Sequence, residues 1–227
     1  VHNGIDCEKW QPRQDAAVLE RWGINPELPA ITFVGRITRQ KGLPYLLAAL
    51  EKLPAGIQVI LCAGAPDTSE IMAEVQTAVA KLQQSRDGVV WIEEHLPVSE
   101  LSVILSASTV FACPSVYEPL GIVNLEAMAC GIPVVGTATG GIPEVVVDGV
   151  TGWLVPIEQV TDGTGTPLHP EKFISDLSDA LINAVSDTAR ARTMGVAART
   201  RAIEHFDWNS IATQTLAVYE SVGHKSR

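Results

Sequence analysis

Residues 115–149 read SVYEPLGIVNLEAMACGIPVVGTATGGIPEVVVDG. They follow the apolar run Thr109 to Cys113 (TVFAC), which reads as a buried parallel strand, and Pro114 ends that strand because it has no N–H to give a neighbour. Past the loop, Ile122, Leu125, Met128 and Ala129 recur at helical spacing, so Glu118 lies in the loop and Glu126 inside the helix. Gly121 stands where the helix begins, and a residue without a side chain there leaves the first backbone N–H groups open to an anion. Glu126 is ~6 Å further along the axis at ~1.5 Å rise per residue, within reach of a ribose. A carboxylate accepts two hydroxyl donors at once, which suits both acids to sugars. The plainer alternative is an amphipathic helix with solvated acids.

The same alternation extends outward on both sides. Ile31 to Val34, Gln58 to Ala63, Val89 to Ile92, Pro133 to Gly136 and Gly152 to Val155 are further short apolar runs, each followed by a loop. Helical spacing is predicted for Leu43 to Leu53, with Pro44 tolerated in the first turn, and briefly for Leu101 to Ala107. Asp67 with Glu70 forms an expected capping box for a helix through Gln84. Pro143 opens a short helix, and Asp148 and Gly149 mark a turn. Pro156 to Pro170 reads as an irregular surface loop. Three helical patterns follow, Lys172 to Val185, Ala189 to His205 and Asn209 to Val222. Continuous apolar strands alternating with helices predict an α/β fold, a doubly wound, Rossmann-like parallel sheet of about six strands covered on both faces. Ligands of such sheets bind at the carboxyl ends of the strands.

The chain has 227 residues, enough for one well-buried domain, and 46% of them are hydrophobic with no run long enough for a membrane span. A net charge of −10 without a Lys/Arg block argues against a nucleic-acid partner. Cys7, Cys62, Cys113 and Cys130 lack metal spacing and read as small core residues of a reducing, cytoplasmic protein. The five histidines are scattered, so no metal is assigned, and the reading calls for no cofactor.

Arg36 and Lys41 lie in the loop GRITRQKG (35–42) after the first strand, at that same carboxyl edge. In an acidic chain they fit a clamp on a diphosphate, Arg as a planar fork and Lys as a point charge. Solvated surface cations are the alternative, and Arg39 beside them shows that cations are common in this loop.

Glu118 and Glu126 stand in an E-x7-E arrangement within PSVYEPLGIVNLEAMACGIPVV, followed by TGGIPEVVVDGVTGWLVP. This stretch resembles the donor-site signature of retaining GT-B glycosyltransferases of the glycogen synthase type, closest to the actinobacterial group, and similarity runs from the opening HNGID to the last helix. The resemblance implies the C-terminal, nucleotide-sugar-binding half of a GT-B fold. By its pattern Arg36 and Lys41 hold the nucleotide diphosphate and Glu118 holds hydroxyls of the transferred sugar. Gly121 and Ile122 give backbone N–H groups to the distal phosphate, and Glu126 binds the ribose. Gly35, Pro119 and Leu120 complete the donor loops, and the base lies by Ile92 to Leu96, read by backbone groups. Tyr117 is expected to pack the loop, and Gly140 and Gly141 either approach the ligand or simply make a turn. The catalytic set is Arg36, Lys41 and Glu118.

The implied organisation is a lead-in segment (1–29) from a preceding domain with a hinge at His2 to Asp6, and a donor domain (30–205). A C-terminal helix (206–227) packs back toward the preceding domain. The expected reaction moves glucose from ADP-glucose or UDP-glucose to an α-1,4-glucan, with glucose 1-phosphate as the rival acceptor giving maltose 1-phosphate. An oxidoreductase half is the other enzyme class, and it wants glycines where GRITRQKG carries bulky cations. The third class is a nucleotide-binding module that does not turn over by itself.

Overall fold

The computed structural model describes residues 1–223, so His224 lies outside the described residues. Helix α1 (Ala16–Arg21) precedes β1 (Ala30–Arg36). The alternation then runs through α2 (Leu43–Leu50), β2 (Gln58–Gly64), α3 (Ser69–Ser85), β3 (Val89–Ile92), α4 (Val98–Ser106) and β4 (Val110–Cys113). It continues with α5 (Ile122–Ala129), β5 (Val134–Thr137), α6 (Ile142–Val145) and β6 (Gly152–Val155). Helices α7 (Pro170–Ser186), α8 (Thr188–Arg201) and α9 (Trp208–Gly223) follow, with one π-helical turn, Ala202–Phe206, between the last two.

The six strands form one sheet in the order β3-β2-β1-β4-β5-β6, and every pairing is parallel. Parallel neighbours need a crossover between them, which is why a helix separates each strand from the next. Successive side chains of a strand face opposite ways. Ile31 and Phe33 of β1, with Val59 and Leu61 of β2, therefore pack on α2, α3 and α7. On the other face Ala30 and Ile60 meet α4, and Phe111 and Val134 meet α5 and α8. Chain progression reverses between β1 and β4, and at such a switch point the loops leaving the two strands diverge and open a crevice.

Several boundaries differ from expectation. Thr68, not Asp67, caps α3, its hydroxyl accepting from the Ile71 N–H at 3.3 Å. Asp67 is drawn away by Arg36. Helix α4 begins at Val98 and α2 stops at Leu50, because Pro97 makes a ready start for the one and Leu53 folds back in a turn after the other. The pattern from Ala189 to His205 breaks into α8 and the π-helical turn. Residues 1–29 are integral to the packing. Ile5 and Trp10 are buried with α5, Leu19 and Ile24 with α4, and the Ile5 backbone pairs with Phe206 and Trp208.

Candidate functional site

Two loops flank the switch point, residues 37–42 after β1 and 114–121 after β4. They are held together by backbone. Gly42 has φ +66°, and a Cβ there would lie 2.0 Å from the Pro114 carbonyl oxygen, so only glycine permits the approach. The Val116 N–H donates to the Gln40 carbonyl at 2.9 Å, and Gln40 Nε2 to the Tyr117 carbonyl at 2.9 Å.

This docking brings Lys41 Nζ to 2.6 Å from Glu118 Oε2, and Ser115 Oγ donates to the same oxygen at 3.3 Å. The side chains are only 20% and 9% exposed, and charges so poorly hydrated are costly unless they are paired or hydrogen-bonded. Lys41, Glu118 and Gly121 line one small cavity with Ser115 and Asn124. Gly121 takes φ +89° at the N-cap of α5, and no side chain among the described residues caps that end. The N–H groups of the first turn, with the positive end of the helix dipole, are left for an incoming anion.

Arg36 is the last residue of β1 and is not among the residues lining that cavity. Its guanidinium lies on the β2 side, 3.0 Å from Asp67 Oδ1, with most of the side chain in solvent. The two expected clamp cations thus sit on opposite shoulders of one loop. Arg39 pairs with Glu74 of α3 and faces away from the Lys41 pair. Gly35 is packed against the Phe33 ring, 3.2 Å from where its Cβ would be.

Glu126 stands half-buried on the second turn of α5, and loss of water pushes its carboxyl up to about 7. Pro119 and Ile122 are exposed, and Leu120 is half-buried. The Leu96 side chain is buried, leaving only its backbone to meet a ligand. Tyr117 does not pack the loop: it is 57% exposed, because the bonds with the Gln40 carbonyl and the Gln40 side-chain amide fix that stretch without its ring.

Gly140 and Gly141 approach protein, not an open ligand site. Their Cβ positions would fall 2.1 Å from the Glu118 carbonyl oxygen and 2.3 Å from that of Pro119, and the Gly141 N–H donates to the Glu118 carbonyl at 2.8 Å. The glycines are a cradle for the Glu118 loop.

Three contributors escape sequence reasoning. Gln159 donates to the Val116 carbonyl at 2.6 Å and the Gly165 carbonyl at 2.7 Å, tying residues 156–168 to the signature loop. That loop also carries an antiparallel bridge between Gln159 and Pro167, so it is more ordered than its composition indicates. Asp67 is the second contributor, through Arg36. Asn124 is the third, and its signal was present: a polar residue of modest helix propensity within the apolar run IVNLEAMA.

Residues 16–164 match the family model of glycosyl transferases group 1. The chain belongs to that family. This group 1 glycosyl transferase chain is 51% identical over 225 residues to the alpha-maltose-1-phosphate synthase of Mycolicibacterium smegmatis, an alignment covering 98% of the chain and 56% of the relative. Among solved structures, the sucrose-phosphate synthase of Thermosynechococcus elongatus superposes with TM-score 0.76 at 30% identity, covering 99% of the chain and 52% of the other. The Anabaena HepE protein in complex with UDP and glucose superposes with TM-score 0.77 at 23% identity over 97% of the chain and 56% of the other, a likeness of fold. The chain thus spans little more than half the length of its relatives, and its sheet is that of the C-terminal half of a GT-B glycosyltransferase. No helix among the described residues is long and apolar enough to cross a membrane.

Proposed function

We propose that this chain is the donor-binding half of a retaining hexosyltransferase that moves glucose from a nucleotide-diphosphate glucose to glucose 1-phosphate, giving maltose 1-phosphate. One observation carries the donor assignment: Lys41, Glu118 and the uncapped start of α5 meet at the switch point of the sheet. In this reading the distal phosphate takes the N–H groups after Gly121, and Lys41 meets the charge that builds as the glycosidic bond to phosphate breaks. Arg36 supplies a second cation from the β2 shoulder. Glu118 and Glu126 bind hydroxyls of the sugar and ribose, and neither acts as a nucleophile. The base lies against the backbone near Leu96.

The acceptor follows from likeness. The relative at 51% identity makes maltose 1-phosphate by its name, which supports placing glucose 1-phosphate before the α-1,4-glucan that the resemblance to glycogen synthases puts first. The glucan remains the second reading, with ADP-glucose the first donor and UDP-glucose the other. The outward apolar residues of α9, Trp208, Leu216 and Tyr219, fit a helix that packs toward a preceding domain. The acceptor would be held largely by that domain, so the 227-residue chain alone binds nucleotide and does not turn over.

The test is a product assay on an enzyme that contains this chain together with an N-terminal GT-B domain, offering ADP-glucose or UDP-glucose with each acceptor. Maltose 1-phosphate from glucose 1-phosphate supports the reading. Elongation of glucan alone overturns the acceptor, and release of neither product overturns the transferase.

A further inference from the structure

Asn124 is fully buried, and neither Oδ1 nor Nδ2 of its carboxamide has a hydrogen-bond partner among the described residues. It is the third residue of α5 and lines the cavity that holds the Lys41 and Glu118 pair. The position that a Cβ on Gly121 would take lies 2.4 Å from Asn124 Nδ2 and 3.4 Å from Glu118 Cγ, so the carboxamide and the acid crowd one point. A buried amide without a partner is costly, and a well-packed core replaces it with an apolar residue unless another state of the molecule uses it.

The proposed function creates that state. Lys41 cannot hold Glu118 at 2.6 Å and give its full charge to a diphosphate. When it turns to the phosphate, Glu118 keeps only the 3.3 Å bond from Ser115 in a setting where its side chain is 9% exposed. We infer that Asn124 is a positioning residue that takes over Glu118 when the donor draws Lys41 away, its amide donating to the vacated carboxylate oxygen. Glu118 then stays aimed at the sugar without its cation. The exchange rests on the reading of Lys41 as the diphosphate clamp.

The experiment is a double-mutant cycle on the 227-residue chain, with ADP and UDP as the titrants in calorimetry and a thermal melt of each ligand-free variant. Asn124→Leu is expected to weaken diphosphate binding by ~10-fold, the loss of one hydrogen bond to a charged group. Its ligand-free melting point stays equal or rises, because the free state does not use the amide. In the Lys41→Met background the same change alters binding by less than ~2-fold, within the error of additivity, since Glu118 then needs Asn124 in both states. Asn124→Ala removes the donor without adding charge or bulk, and it gives the same binding pattern if the leucine variant does not fold. Equal losses in both backgrounds, or no loss in either, overturn the exchange and leave the clamp standing. Lys41→Met with unchanged binding, or a wild-type chain that binds neither nucleotide, overturns the clamp itself.

Discussion

Lys41 and Glu118, 77 residues apart in sequence, are joined at 2.6 Å beneath the N-terminus of α5. The pair couples the loop after β1 to the loop after β4 across the point where the sheet reverses its strand order. The cation and the acid are thereby held as one unit, and in the proposed function they are the groups that meet the leaving phosphate and the transferred sugar.

Removing the cation tests its chemical role. Lys41→Ala, in an enzyme with both GT-B halves, is expected to lower kcat/KM by at least ~10²-fold, the low end of losses for one transition-state donor. Steady-state kinetics with saturating acceptor measure it. A variant with wild-type kinetics would remove Lys41 from the mechanism.

Glu126 gives a pH signature. Its carboxyl is raised from 4.5 to about 7 by burial, so ionising it costs the folded state. The stability this group allows is complete below about pH 4.5 and is lost as pH rises through about 7. Glu126→Gln abolishes that loss. The variant should match the wild type near pH 4.5 and exceed it by roughly 1–3 kcal/mol above pH 7, read by denaturant unfolding across the range. A difference that does not change with pH would contradict the burial argument.

Gly140 and Gly149 form a matched pair. Both have positive φ, +53° and +72°, but a Cβ on Gly140 meets the Glu118 carbonyl oxygen at 2.1 Å and one on Gly149 meets nothing within 4 Å. Gly149→Ala pays only for the left-handed backbone, about 1–2 kcal/mol. Gly140→Ala adds a clash with the loop that carries Glu118, so its loss of stability is larger and nucleotide binding falls with it. Thermal melts and calorimetry on the two variants separate these effects, and similar behaviour of both would deny the cradle.

Gln159 is tested through order. Gln159→Leu deletes the bond that holds residues 156–168 to Val116 and the bond to Gly165 that braces the loop from within. Limited proteolysis should then cut within residues 160–165 first, since local opening costs least where few bonds remain. The KM for donor rises by about three- to tenfold, the order of one lost hydrogen bond. Protection equal to that of the wild type would mean that other contacts hold the loop.

The strand runs were legible because each is continuous and apolar, and a parallel sheet buries both of its faces. The two loops at the switch point were legible as cations in an acidic chain and as acids around a glycine. Pairing was not. Nothing in GRITRQKG shows that Lys41 turns to Glu118 while Arg36 turns to Asp67, because that choice depends on Gly42 closing against Pro114, 72 positions away. The α3 cap was misplaced for a related reason: Asp67, Thr68 and Ser69 are all capable N-caps, and the tertiary partner of Asp67 decides among them. Gly140 and Gly141 were visible as glycines, but what they approach, Glu118 and Pro119, is set by the fold of an earlier loop.

A crystal structure of the chain with ADP-glucose tests the central claim most directly. The account predicts the distal phosphate on the N–H groups after Gly121, Lys41 Nζ moved from Glu118 to a phosphate oxygen, and Glu126 on the ribose. A donor bound elsewhere, or one bound there with the Lys41 and Glu118 pair still at 2.6 Å, would contradict it.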